Sequence, residues 1–344
     1  PLAFAAFAAP VAAQQKPLGR FFTALGYYGL AIGGMIAAQL GYLNVGVPAA
    51  IPGWLASSVL LAAPWAMASS PLGVLLALVA TALPPIGLIG WVSPLNAAGA
   101  LLPGTKWMGL AATIVAFCWA FRASHSARFW SATIGLALLA NLVYITPAAP
   151  AGWVGLNTHL PAATNIMQAI RSNEQLIDAA GGAKAKVLIF PEAVLNDWFA
   201  GTQVQMANAV PPDQTWLIGA EANGRNTVVL VRKAQAWKRP LTQAAALVLG
   251  GNWNPLHPKL RPAWWQDTYR LDGRDVWSSL CVEQLLPFTW LEAMAQQPDV
   301  VLAQSNQWWA SPASSIPAIQ RSNALTWARL MGRPVIFADN RPKG

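Results

Sequence analysis

The sequence predicts an α-helical transmembrane bundle followed by an α/β domain, and three observations carry that prediction. Residues 1–173 contain no Asp or Glu, so all 13 acidic residues lie from Glu174 onward. The acid-free half consists of apolar runs punctuated by Pro, Gly and a few cations, and a helix needs about 20 apolar residues to cross a bilayer. From about residue 151 the texture changes to short apolar runs alternating with helical stretches, the pattern of a layered α/β domain. With 55% hydrophobic and 10% charged residues distributed so unevenly over 344 positions, the chain is built for two solvents.

In the first half, taken as residues 1–149, spans are expected near 21–43, 51–69, 71–91, 107–121 and 129–148. Residues 2–13 read as the remnant of an earlier span, and the start at Pro1 suggests an N-terminally trimmed chain. Lys16 and Arg20 mark one cytoplasmic loop; Arg122 and Arg128, flanking His125 in FRASHSARF, mark another, with Lys106 the dissenting cation. This orientation predicts a multi-pass protein of a bacterial inner membrane, with the segment after residue 148 in the periplasm. The net charge of +9 reflects acid depletion in the membrane half, and its cations are scattered, so nucleic acid is not an expected partner.

Residues 150–344 form the second expected domain. KVLIF (186–190), TWLIG (215–219), TVVLVR (227–232), VWSSLC (276–281), VVLAQ (300–304) and PVIFA (334–338) read as strands. Helices are expected over 163–180, ending at Gly181 and Gly182, and over 317–331, ending at Gly332 before Pro334. PPDQ (211–214) is a loop, and the Pro- and Trp-rich stretch 251–267 is long enough to be a functional lid.

Three strand ends carry polar groups. KVLIF runs into PEAVLNDW and Glu192; VWSSLC ends in Cys281; VVLAQ leads into SNQWW and Asn306. Taken singly, each has a plain structural role: Glu192 as an acidic cap of a following helix, Cys281 as a small buried hydrophobe, Asn306 as a turn former.

Together, FPEA, a basic residue after the next strand pair, CVE, and SN before an aromatic pair resemble the nitrilase (carbon–nitrogen hydrolase) superfamily. That resemblance implies an α-β-β-α sandwich, here truncated at its C-terminus, and a Glu-Lys-Cys triad. Membrane helices ahead of such a domain narrow it to the branch containing apolipoprotein N-acyltransferases and the plasmid conjugal-transfer TraB proteins. CVEQLL and SNQWW look closer to the latter.

The resemblance makes Glu192 the general base and Cys281 the nucleophile, with Glu283 and Asn306 supporting. Lys238 in AWKRPL fits the lysine best, and Lys233 and Lys259 remain candidates. Chemically the set is coherent, because a carboxylate and a cation beside a thiol can take its proton and hold the thiolate. Two features depart from the family. QAAALVLGG follows the lysine where Pro-Phe-Gly-Glu is usual, and Val282 stands where a Tyr follows the cysteine.

Two functions from different classes follow. One is a membrane-anchored amidase or N-acyltransferase working through a cysteine thioester in conjugative plasmid transfer. The other is a catalytically weak envelope component that uses the fold for docking or assembly. The expected partners are the lipid bilayer, an acyl or amide substrate at its surface, and conjugation machinery, with Trp253, Trp264, Trp265, Trp308 and Trp309 at the interface. No cofactor or metal is expected: His125, His159 and His257 are dispersed, and no CxxC, HExxH or GxSxG motif occurs. Cys118 falls inside a span and cannot pair with Cys281 in this topology.

Overall fold

Every strand expected from the sequence forms, and two Asn-Gly or Asp-Gly turns fix how they pair. The computed structural model describes residues 7–123, 127–236, 239–256, 258–311 and 314–341. By contacts these divide into two units, one of residues 1–147, 285–297 and 318–333, the other of residues 148–284, 298–317 and 334–344.

The second unit holds two sheets. The first has the order β1 (Trp153–Gly155), β2 (Val187–Ile189), β3 (Thr215–Ala222), β4 (Arg225–Arg232), β5 (Gln235–Ala236), with β6 (Thr242–Gln243) also on β4. The second has the order β10 (Val335–Asn340), β9 (Val300–Asn306), β8 (Arg274–Leu280), β7 (Tyr269–Leu271). β1, β2 and β3 run parallel, as do β8, β9 and β10. β3–β4 and β7–β8 are hairpins closed by Asn223-Gly224 and Asp272-Gly273, all four residues at positive φ, the turn whose twist matches the strands it joins.

Strand periodicity sorts the side chains. Val187, Ile189, Leu217, Val228 and Leu230 share one buried core with Val276, Leu280, Val300, Leu302 and Ile336 of the other sheet. Their alternates Leu188, Trp216, Ile218, Val229 and Val231 pack with Leu176 and Ala180 of the 166–181 helix and Met206 and Ala207 of the 200–209 helix. Asn165 starts the former by accepting from the Gln168 N–H, 3.0 Å. The unit therefore shows the α, β and β layers of the expected sandwich. The helices Pro287–Gln296 and Ile316–Met331, which follow β8 and β9, fall mostly in the first unit.

Helices of the first unit lie where the spans were expected, some shorter and some slightly longer than expected. Val47–Ala66 is long and apolar enough to cross a membrane alone; Pro17–Ala31 and Gly34–Gly41 qualify only as a pair bent by 49°. The 71–91 run stops as a helix at Ala82, ahead of Pro84 and Pro85, because proline lacks the N–H and disfavours helix in the residue before it. Lys106–Ala123 and Ala127–Val143 complete the set, the latter with none of its side chains buried. Arg20 lies buried inside a helix, donating to the Ala66, Gln14 and Gln15 carbonyls, a cation satisfying a helix C-terminus. Asn96 donates to Asn323 Oδ1 and Asn323 to the Trp91 carbonyl, both at 2.7 Å, so a buried amide pair ties the 316–331 helix to the 91–96 segment. A Cβ on Gly99 would stand 1.8 Å from the Thr326 carbonyl oxygen, so only glycine lets these backbones meet.

Candidate functional site

β2 is three residues long and ends against Pro191, after which the chain leaves the sheet with Ala193 at φ 43°. Residues 195–198 then run beside β3, with Leu195 N–H donating to the Gly219 carbonyl, Glu221 N–H to Leu195, and Trp198 N–H to Glu221. No helix starts until Ala200, so Glu192 is not the cap of a following helix. Gly219 makes this route possible. A Cβ there would fall 2.3 Å from the Pro191 carbonyl oxygen and 2.6 Å from Glu192 Cα.

Glu192 is buried, and its Oε1 accepts from Asn226 Nδ2 at 2.5 Å. Burial pushes the carboxyl up from 4.5 to about 7; the Cys281 thiol, Asn226 and the Asn306 N–H hydrogen-bond to it and pull it back, while the Glu221 carboxylate pushes it further up. Loss of hydration outweighs those donors, and the group is poised between acid and base near neutral pH.

Cys281 follows the last residue of β8 and opens a 3₁₀ turn over 281–285. Its φ of 43° is a left-handed conformation that a non-glycine residue adopts at a cost. That bend lifts the thiol out of the sheet, half-buried, onto the Glu192 carboxyl. Glu283, fully buried, accepts from Leu280 N–H at 2.7 Å with one oxygen, and from Ala245 and Ala246 N–H at 2.6 and 3.2 Å with the other. The acid-free QAAALVLGG segment is thus fastened beside the cysteine turn by a carboxylate from the turn itself. Asn306 ends β9, donating to the Ala193 carbonyl at 3.4 Å and accepting from Asn340 at 2.8 Å.

Glu192, Cys281, Glu283 and Asn306 are thus brought to one end of the two sheets. Lys238 lies outside the described residues, as do His125 and His257. Lys233 donates to the Asn208 carbonyl, at the end of the 200–209 helix, whereas Lys259 pairs with Glu221 at 3.7 Å and so borders the site. Of the tryptophans expected at an interface, Trp264 and Trp265 are exposed, and Trp253 packs edge-on against Trp264. Cys118 donates to the Pro71 carbonyl within the helical unit.

Three residues escape the sequence argument. Asn226, Glu221 and Gly219 all sit on the β3–β4 hairpin, with Glu221 directly opposite Asn226 in the ladder. Gly219 alone left a trace, as an isolated glycine inside an apolar strand. Gln304, fully buried, donates to the Phe190 carbonyl at 2.6 Å, linking β9 to the end of β2.

The chain is similar to the conjugal transfer protein TraB of Agrobacterium fabrum, 30% identical over 292 residues that cover 78% of this chain and 67% of that one. It is also 30% identical over 291 residues to a probable conjugal transfer protein TraB of Sinorhizobium fredii, covering 78% and 73%. Among solved structures it is similar to a cysteine-to-alanine mutant of the Nesterenkonia AN1 amidase from the nitrilase superfamily. That match has 14% identity and a TM-score of 0.38, over 56% of this chain and 79% of that one. A second mutant of that amidase, with the acetamide moiety of fluoroacetamide on its active site cysteine, matches at 14% identity and a TM-score of 0.40 over the same shares. No family model matches the chain.

Proposed function

The chain belongs to the family of the conjugal transfer protein TraB, and on that premise we propose that it is a membrane-anchored amidase or N-acyltransferase acting through Cys281. One observation carries the proposal: a cysteine on a strained strand-end turn hydrogen-bonded to a buried carboxyl that titrates near 7. The Sγ proton passes to Glu192 and the thiolate attacks the substrate carbonyl carbon. The C–N bond then breaks, the proton goes to the departing nitrogen, and an acyl thioester remains on Cys281. Water or an amine takes the acyl group next, giving its proton to Glu192 as it attacks. Lys238 is assigned the stabilisation of the oxyanion, the role the family resemblance gives the lysine.

Membrane anchoring is supported by the first unit's surface. Leu30, Leu138 and Leu142 are 88%, 67% and 82% exposed among further apolar side chains, an area that only lipid or protein would cover favourably. The site faces the periplasm in this proposal, so reporter fusions after Arg128 should behave as cytoplasmic and those after Pro150 as periplasmic. The reverse at both positions overturns the placement.

Alkylation tests the chemistry. In a Cys118→Ala background, iodoacetamide should label Cys281 at a rate still appreciable near pH 6, well below the roughly 8.5 at which an ordinary thiol ionises. Cys281→Ser should abolish labelling, and Glu192→Gln should alter its pH profile. An ordinary thiol profile, together with full plasmid transfer by Cys281→Ser, would leave the docking function in its place.

A further inference from the structure

Asn226 is 2% exposed, and its amide is only half used. Nδ2 donates to Glu192 Oε1, while Oδ1 is buried with no hydrogen-bond partner among the described residues. Buried polar atoms are rarely left so, because desolvation without a partner is unfavourable, and each one calls for an explanation, a catalytic role or a bound molecule among them. This one belongs to the same amide that donates to Glu192, and Glu192 in turn meets the Cys281 thiol. The neighbourhood is rich in acceptors. Glu221 stands opposite Asn226 in the β3–β4 ladder, where cross-strand partners share a face. Its one ion pair among the described residues, to Lys259, is long at 3.7 Å. Acceptor oxygens on one face favour a hydrogen-bond donor among them, and an amide or amine nitrogen supplies one while an ester oxygen does not.

We infer that Asn226 Oδ1 accepts a hydrogen bond from an N–H of the substrate, so that the site selects amides and amines over oxygen esters. The inference rests on Cys281 being acylated, as proposed above, and adds the group that chooses what acylates it. Asn226 would then fix both partners of the first step, orienting the base through Nδ2 and the scissile amide through Oδ1. In the tetrahedral intermediate that contact holds the departing nitrogen with its lone pair toward Glu192, which carries the thiol proton.

The test follows thioester formation on Cys281 by mass spectrometry in the full chain purified in detergent. The probes are octanamide, N,N-dimethyloctanamide, which lacks an N–H, and 4-nitrophenyl octanoate. Wild type should prefer octanamide to its dimethyl analogue by about tenfold or more. Asn226→Ala should lose about tenfold more rate with octanamide than with the ester, because losing the hold on Glu192 affects both while losing Oδ1 affects only the N–H probe. Equal losses on amide and ester, or no preference in wild type, overturn the inference. If Asn226→Ala does not fold, the wild-type comparison of the two amides decides alone. Acylation by the ester but by neither amide overturns it while leaving Cys281 a nucleophile. An ordinary alkylation profile for Cys281 removes the proposed function itself.

Discussion

Two carboxylates stand by the same cysteine, Glu283 two positions along the chain and Glu192 across a hydrogen bond, and their surroundings separate them. Glu283, at the turn that follows β8, takes three backbone N–H groups from two chain segments. Glu192, past the end of β2, is met by one side-chain amide, one thiol and one backbone N–H, and burial lifts it to about 7. A carboxylate committed to several rigid backbone donors works as a fastener. One whose loss of hydration outweighs its mostly side-chain donors can take up and release a proton. The acid that the family pattern leads one to seek after the lysine is absent, and the segment there is held instead by Glu283, two residues beyond Cys281.

The comparison breaks most visibly at Glu283. Glu283→Ala strands the N–H groups of Leu280, Ala245 and Ala246, and at roughly 1–3 kcal/mol per orphaned buried group the loss should be on the order of 3 kcal/mol or more. A thermal unfolding midpoint in detergent measures it, and an unchanged midpoint would show that Glu283 is no fastener.

Glu192→Gln should do the opposite. Its folded value of about 7 lies above the ordinary 4.5, so its contribution to stability is fully present below about 4.5 and is lost as pH rises through about 7. The neutral variant should match wild type near pH 4 and exceed it near pH 8 by at most about 3 kcal/mol, while losing acylation. Equal stability at both pH values would mean that Glu192 is not penalised by burial.

The smallest effect is expected at Gly219. Gly219→Ala puts a methyl group against the Pro191 carbonyl and the Glu192 backbone, at a cost of about 1–3 kcal/mol. It should also slow Cys281 alkylation near pH 7, because the clash moves the base. Loss of stability with an unaltered alkylation profile would separate the backbone fit from the site.

Much of this was legible in one dimension. All six expected strands and both expected helices form, because alternation of apolar residues and the Gly and Pro stops are local properties. Glu192 and Cys281 were marked by lying just beyond apolar strands, and parallel sheets present such ends together at one edge. The 71–91 run shows the limit of hydropathy: it is apolar throughout, yet its helix ends at Ala82, since backbone chemistry and not transfer energy decides at Pro84 and Pro85.

The sequence by itself determined the division into an acid-free half and an acidic half, the strand and helix segments, and the placing of Glu192 and Cys281 just beyond apolar strands. Only the tertiary structure decided which acid meets the Cys281 thiol and which holds the Ala245 and Ala246 N–H groups, for these contacts join residues far apart in the chain. It also assigned Asn226 and Glu221 to the site through hairpin register, and grouped the 318–333 stretch with the N-terminal helices through Asn96 and Asn323. Such contacts have no local signature. An asparagine at a strand start reads the same whether its amide faces water or a buried carboxyl, and only the folded chain fixes which.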